Sequence, residues 1–235
     1  MHKMPEQQYV TAMFNDIAPR YDFLNHFLSF NIDKFWRRKT ARFIAQYKPT
    51  NILDLATGTA DLAILLAQSC PQAKISGLDL SENMLNIGKQ KIKEKKLEQQ
   101  ITLNQGDACG LPFADNSFDA ITVAFGVRNF QNLGKGLSEM HRVIKTGGPI
   151  AILEFSTPTK PVFRTIYGFY FHKILPFIGK IISKNGSAYQ YLPDSVSNFP
   201  PPDTFINIAR NFGLKCQQKR SLSGGIATLY YFEKQ

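Results

Sequence analysis

Two rhythms alternate along this chain. Short apolar runs bounded by turn formers read as buried strands, and apolar residues recurring at three- and four-residue spacing read as helices. The run Ile52 to Ala56 is apolar except for Asp54, breaks at Thr57-Gly-Thr59, and resumes with helical spacing from Ala60 to Gln68. That pattern predicts a strand, a tight turn and a helix start. Further strands are predicted at 74–79, 101–105, 118–125 and 150–155. Helices fall between them at 82–96, with Ser81 as N-cap, and at 132–145. Near the end come a helix from 201 to Phe212, stopped by Gly213, and a strand pair at 214–220 and 226–232 around Ser223-Gly-Gly225. Strands alternating with helices predict an α/β fold built of βαβ units on a parallel sheet.

Two stretches depart from this rhythm. At the front, Val10, Met13, Phe14 and Ile17 share one face of a helix over 8–20, which Pro19 is expected to end. The aromatic-rich run from Tyr21 to Trp36 follows, then an amphipathic helix over 33–47 through Phe35, Trp36, Phe43 and Ile44. This front segment, 8–47, reads either as a lid over the sheet's ligand edge or as helices packed on the sheet. Residues 157–200 mix aromatics with Arg164, Lys173 and Lys180, and Pro176 interrupts any long helix there. That insertion reads either as a cap on the substrate side or as an ordinary packed helical element or dimer contact. With no repeat and no linker, residues 1–235 form one expected domain.

Composition changes the picture little. A chain of 235 residues with 43% hydrophobic and 20% charged residues can bury a full core. The absence of an 18-residue apolar stretch and of an apolar leader predicts no membrane span and no signal peptide. Cys70, Cys109 and Cys216 are scattered, which predicts neither a metal site nor a disulfide framework and fits a reducing cytoplasm. The net charge of +10 invites nucleic acid or an anionic membrane surface and does not choose between them.

The candidate chemistry starts at the first turn. Gly58, followed about 20 residues on by an acid, Asp79, closing the next strand, is a nucleotide-binding device. The glycine admits the ligand backbone and the acid accepts hydrogen bonds from ribose hydroxyls. A dinucleotide site wants two more glycines, and Gly58-Thr-Ala-Asp-Leu-Ala63 lacks both. A cofactor without phosphates, such as S-adenosylmethionine, fits better. Asp54 and Thr59 are then expected to face its amino acid and ribose portions, although Asp54 is equally readable as a structural acid bonded to turn amides. Asp107 and Ala108, after the third strand, are placed to hold an adenine amino group.

These motifs resemble a known family. Asp54-Leu-Ala-Thr-Gly-Thr59, Leu78-Asp-Leu-Ser-Glu-Asn-Met-Leu85, Gly106-Asp-Ala108 and Leu111-Pro-Phe113 are similar to those of class I S-adenosylmethionine-dependent methyltransferases. The rest of the chain narrows the likeness. Tyr21-Asp-Phe-Leu-Asn25, Ser29 and Trp36 form one such group. Phe125-Gly-Val-Arg-Asn129, Arg142-Val-Ile-Lys145, Gly147-Gly148 and Leu153-Glu-Phe-Ser156 form another. Together with Tyr189-x-Tyr-Leu192 and Ser223-Gly-Gly-Ile226, these resemble the UbiE/MenG quinone C-methyltransferases from about 8 to 233. The resemblance implies a Rossmann-like fold: a mostly parallel seven-stranded sheet, helices on both faces, and a C-terminal antiparallel strand pair. It also implies methyl transfer from S-adenosylmethionine to a ring carbon of demethylmenaquinol or of a ubiquinol precursor. Several positions depart from the family pattern. Ala60 replaces the second motif glycine, Asn31 and Asp33 stand where Gly and His are common, and Thr146 replaces a Pro. Ala124, expected beside the cofactor, replaces a Ser seen in ubiquinone-active members and favours menaquinone.

Carbon methylation needs no metal, because the sulfonium methyl is already activated. The demand falls on the quinol, whose hydroxyl has a phenol-like pKa of about 10. Arg128, just past the fourth strand, is the expected stabiliser of phenolate or water, and Asn129 the expected partner orienting the same hydroxyl. The competing reading of Arg128 is a cation paired with a structural acid. Tyr21, Tyr189 and Tyr191 are expected to line the ring pocket. His26, His141 and His172 have no ligand spacing. The partners expected are a polyprenyl quinol, an anionic membrane surface touched peripherally from the cytoplasm, and a second copy as a homodimer. Nucleic acid is not expected, since Phe125-Gly-Val-Arg-Asn129 stands where amino-directed enzymes carry Asn/Asp-Pro-Pro-aromatic. A non-catalytic subunit of a quinone-synthesis complex is the remaining alternative, opposed by the intact Asp79, Asp107 and Arg128.

Overall fold

The computed structural model describes residues 7–158, Gly168 and residues 187–234. The aromatic and basic stretch from Val162 to Ser183 therefore lies outside the described residues, save Gly168. Helices α1 (Gln7–Leu28) and α2 (Ile32–Ala45) precede the first strand, β1 (Asn51–Leu55). Then follow α3 (Asp61–Ser69), β2 (Lys74–Asp79), α4 (Glu82–Glu94), β3 (Ile101–Gln105) and β4 (Ala120–Ala124). Next come α5 (Leu133–Val143) and β5 (Pro149–Phe155). The chain closes with α6 (Ser187–Asn198), α7 (Pro202–Asn211), β6 (Leu214–Leu222) and β7 (Ala227–Lys234).

The seven strands form one sheet in the order β3-β2-β1-β4-β5-β7-β6. The first five run parallel, and β7 pairs antiparallel with both β5 and β6. Strand order reverses between β1 and β4, so a crevice opens outside their carboxyl ends, where ligands of such sheets bind.

Pleat alternation builds two apolar layers. Ile52, Ala120, Ala151 and Leu153 pack on one face against Trp36 and Ile44 of α2 and Leu62 and Leu66 of α3. Leu53, Leu55, Ile121, Val123 and Ile152 pack on the other, against Leu137 and Met140 of α5 and Phe205 of α7. Each fully buried Leu or Ile among them contributes roughly 1.5–3 kcal/mol. The alternation also places the few polar strand residues. Asp54 and Thr122 fall on the α2/α3 face and Glu154 on the other, and each is buried.

One expected boundary is wrong. Pro19 does not end the first helix: α1 continues through it to Leu28. A helical proline leaves the carbonyl four residues back without its N–H partner. Here that carbonyl belongs to Asn15, and the Asn83 side-chain amide donates to it at 3.0 Å. The Asn15 side chain also accepts from the Ser81 hydroxyl at 2.6 Å, so the defect becomes the point that fastens α1 to the start of α4. Ser81 caps α4 as expected, its oxygen accepting from the Met84 amide at 3.2 Å.

The link between α1 and α2 is a tight turn in which Phe30 and Asn31 both take left-handed backbone, φ 51° and 60°. Asparagine tolerates that conformation better than other residues with a Cβ, which suits Asn31 to this turn.

Candidate active site

Helix α1 runs across the carboxyl ends of three strands in turn. Gln7 donates to Asp107 beyond β3 at 2.9 Å, Asn15 meets Ser81 beyond β2, and Asp22 accepts from Thr59 beyond β1 at 2.5 Å. Beneath it lies a groove of about 720 Å³ walled by Gly58, Asp79, Asp107, Ala108, Ala124 and Asn129. Gly58 holds left-handed backbone at φ 56°, and a Cβ added there would meet open space, so its conformation and not crowding calls for glycine. Its amide donates to Asp79 at 2.8 Å, and the Ser81 amide donates to the other carboxyl oxygen at 2.9 Å. Burial raises the Asp79 pKa, and those backbone amides oppose the rise. Asp107 is fixed in the same way by the Cys109 amide at 2.8 Å.

The groove thus presents two acids on separate strand ends with apolar Leu80, Met84 and Phe130 between them. That donor set fits S-adenosylmethionine. Asp79 suits the ribose diol, Asp107 and the Ala108 backbone suit an adenine amino group, and the apolar stretch suits the flat base.

Two residues expected beside the cofactor sit differently. Asp54 is 1% exposed and accepts from the hydroxyls of Thr57 at 2.7 Å and Thr122 at 2.5 Å, not from turn amides. Burial pushes its pKa up to about 6, against the lowering effect of those hydroxyls. The Thr59 hydroxyl is spent on Asp22 and on Lys91, which donates to it at 3.3 Å. Both residues wall a smaller recess of about 320 Å³ that shares Ala56, Gly58 and Ala124 with the groove. Both therefore face that recess and not the acid-walled groove.

A second large cavity, about 760 Å³, lies on the far side of Phe125. Its wall is mostly apolar, with Met13, Phe14, Ile17, Phe155 and Leu192, and its polar edge carries Arg128, Arg37 and Asp33. Phe125 has left-handed backbone, φ 61°, and its ring lies 4.5 Å from that of Phe155. The Arg37 guanidinium stacks over Phe125 at 5.1 Å and that of Arg128 over Phe155 at 5.5 Å. The indole nitrogen of Trp36 donates to Ser223 at 3.1 Å, which brings the C-terminal Ser-Gly-Gly turn to this wall. Tyr21 borders groove, recess and cavity alike, and burial raises its pKa while Arg37 and Arg128 oppose the rise.

Arg128 and Asn129 part company. They are consecutive in a short 3₁₀ turn (Val127–Asn129), in which neighbouring side chains splay about 120° apart. Arg128 points to the apolar cavity and Asn129 to the groove, where its side-chain oxygen accepts from the Tyr191 hydroxyl at 2.8 Å. Asn129 thus lines the groove, while Arg128 lines the cavity, and Tyr191 links the two. The Arg128 guanidinium pairs with Glu154 at 2.7 Å and also donates to the Phe125 carbonyl at 2.5 Å and to Ser195 at 3.3 Å. The ion-pair reading of Arg128 is thus correct, and the residue still edges the cavity. Tyr191 borders that cavity, whereas the Tyr189 side chain lies outside the described residues.

Sequence reasoning missed several cavity residues. Asp33 is 3% exposed, accepts from Ser29 at 2.6 Å and from Arg37, and is hydrogen-bonded to His26 Nδ1 at 2.9 Å. His26 shows no ligand spacing, and no signal in the sequence pairs it with Asp33, which lies on the next helix. Gln7 carried none.

The strand order, the glycine floor and the acid-walled groove at the switch point define a Rossmann-like class I methyltransferase. Solved structures share the architecture. The [4+2]-cyclase SpnF superposes with a TM-score of 0.71 at 14% identity, covering 98% of this chain and 96% of that one. A SAM-dependent methyltransferase from Aquifex aeolicus gives 0.56 at 18% identity, covering 79% and 82%. Residues 1–234 match the ubiE/COQ5 methyltransferase family, and the chain belongs to it. A demethylmenaquinone methyltransferase of Bacteroides fragilis is 45% identical over 225 residues, 96% of this chain and 92% of that one. The ubiquinone/menaquinone biosynthesis C-methyltransferase UbiE of Geotalea daltonii is 47% identical over 236 residues, with 100% of each chain covered.

Proposed function

We propose that this protein transfers a methyl group from S-adenosylmethionine to a ring carbon of demethylmenaquinol, giving menaquinol. The observation that carries this reading is the pair of cavities that meet at Tyr21. One is walled by the acids an adenosyl group requires, and the other is apolar and aromatic with a cationic edge. The 45% identical relative bears the name of that activity.

Bound in the groove, S-adenosylmethionine supplies a sulfonium methyl already activated for attack by carbon. Asp79, Asp107, Gly58 and Ala108 hold the adenosine part, and Ala124 leaves room beside it. Phe125 and Phe155 give the quinol ring a flat floor, and Tyr21 and Tyr191 close its sides. Arg128 and Arg37 present positive edges to the ring hydroxyls and favour their ionised form. Arg128 cannot take the proton itself: burial works against its charge, but the Glu154 carboxylate more than offsets that and keeps the guanidinium charged. Helix α1 acts as a lid that excludes water from the junction.

A polyprenyl tail has to enter from a bilayer. Among the described residues the exposed large hydrophobics include Phe23, Phe30, Ile32 and Phe35, gathered at the α1–α2 elbow, with Phe30 77% exposed. The inner side of this elbow walls the quinol cavity. We place peripheral membrane contact there, supported by the net charge of +10. None of the helices among the described residues is long and apolar enough to cross a membrane.

The test is radiolabelled methyl transfer with demethylmenaquinol and its benzoquinol counterpart side by side. Label in the naphthoquinol product supports the reading, and label in neither overturns it.

A further inference from the structure

Carbon methylation of a quinol releases one proton, and the ring cavity is walled mostly by apolar side chains. The residues around its polar edge show where that proton goes. Asp33 borders the ring cavity, while His26 borders an open cleft of about 540 Å³ on the outer side of α2. A hydrogen bond of 2.9 Å between His26 Nδ1 and Asp33 joins the two spaces, both of which Arg37 also borders. Beyond it, His26 Nε2 lies 3.4 Å from Asp61, which pairs with Lys91 at the cleft. The Asp33 carboxylate accepts from Ser29 and Arg37 and shares one further hydrogen bond with His26 Nδ1. A carboxylate has about four acceptor sites, so one remains for a donor arriving from the cavity.

We propose that Asp33 accepts the quinol hydroxyl proton and that His26 relays it to the cleft, a role that rests on the quinol-methylation reading above. The quinol O–H bond breaks and its proton goes to Asp33, leaving the electron pair on the ring oxygen. Asp33 passes a proton to His26 Nδ1, and the proton on Nε2 leaves through Asp61 to cleft water. The step starts from the Nε2–H tautomer of His26, with Nδ1 accepting. One proton enters and one leaves, which leaves the Nδ1–H tautomer, and rotation of the partly buried ring toward the cleft exchanges that proton with water and returns the Nε2–H form. Attack by the ring carbon on the sulfonium methyl converts that sulfur to a neutral sulfide, and the proton lost from the ring carbon restores the second ring hydroxyl. No oxidant or metal enters the balance.

The charges around the relay set its pH response. His26 is faced by Asp33, Lys34, Arg37 and Arg38 from α2, by Asp61 from α3, and by Lys91 and Lys95 from α4. The hydrogen bond with Asp61 raises its pKa, burial lowers it, and the charge of Asp33 raises it again, the net being upward. While doubly protonated, His26 cannot accept from Asp33. Turnover should therefore fall on acidification along a limb set by His26 and lying above the ordinary histidine value of about 6.5.

The experiment measures kcat and KM for a short-chain demethylmenaquinol against pH in the full-length protein, His26→Gln and Asp33→Asn. It adds an NMR titration of labelled histidine without cofactor. The expected result has four parts: an acidic limb in the unaltered protein, its loss in His26→Gln, a fall in kcat of roughly 100-fold in both variants, and KM within about twofold. The His26 titration should also move to lower pH in Asp33→Asn. Because His26 is only partly buried, His26→Gln keeps the test alive if Asp33→Asn misfolds. An unchanged acidic limb in His26→Gln, with kcat within about threefold, overturns the relay and leaves the function intact. No turnover by the unaltered protein, with cofactor bound, overturns the function and the relay with it.

Discussion

Replacing Arg128 by glutamine separates its structural from its chemical work. Glu154 is fully buried and is held by three donors: the Arg128 guanidinium at 2.7 Å, the Arg128 amide at 3.3 Å and the Phe155 amide at 2.8 Å. Removing the guanidinium leaves two backbone amides to hold a carboxylate away from water. Breaking a buried pair from one side costs about 3–5 kcal/mol. For a chain of this size that lowers Tm by roughly 10 °C. The double variant Arg128→Gln/Glu154→Gln removes both charges and should recover part of the loss, since the side-chain amide introduced on β5 keeps one oxygen to accept from a backbone donor and no longer buries an unpaired charge. Turnover should not recover, because the cationic edge of the ring cavity is gone. Urea unfolding gives the stabilities, and methyl transfer is measured below the lower transition, with S-adenosylmethionine binding followed by calorimetry. A single variant losing less than about 1 kcal/mol would refute the buried-pair argument. A double variant with normal turnover would refute the role assigned to the guanidinium.

Other outcomes follow from the same contacts. Asp54 carries a pKa of about 6 when folded, above its unfolded value of 3.8, so the folded state binds its proton more tightly. Its burial therefore destabilises the protein above about pH 6, and that penalty fades as pH falls from 6 towards 4. Asp54→Asn should raise stability at pH 8 by about 1–3 kcal/mol and change little at about pH 4, as read from urea midpoints at the two values; equal effects at both would contradict it. Gln7→Ala frees the Asp107 carboxylate that adenine needs, and calorimetry should show cofactor affinity rising by roughly two- to tenfold. Weaker binding would mean that Gln7 helps to hold the ligand. Asn83→Ala leaves the Asn15 carbonyl without its donor and should cost about 1 kcal/mol, with faster proteolysis within α1; unchanged cleavage would show that this contact does not fasten the helix.

Most of the sheet was legible because its signals are local. The strands Lys74–Asp79 and Ile101–Gln105 have the bounds that their apolar runs predict, and Ser81 caps α4 as its place before the helix requires. The cofactor groove was legible for the same reason, since Gly58, Asp79 and Asp107 all lie where a strand meets its turn. What failed depended on distant partners. Pro19 looks like a helix end until Asn83, far along the chain, satisfies the carbonyl it abandons. Arg128 and Asn129 look like one functional unit until the tight turn aims them into separate spaces. Asp33 and His26 are ordinary in sequence, because their meaning comes from which cavity each one borders. The left-handed Phe125 follows a plain strand run, and nothing in the sequence announces it.

The path of α1 over the sheet has a practical side. Gln7, where α1 begins, rests on Asp107, so the start of that helix lies at the acid-walled groove. At the other end, Glu233 pairs with Pro149, where β5 begins, on the sheet edge opposite the groove. An affinity tag fused to the amino end would crowd the cofactor entrance, while the same tag after β7 would hang from the far edge. Two preparations differing only in tag position should thus differ in apparent cofactor affinity, a discrepancy that would otherwise be blamed on the protein itself.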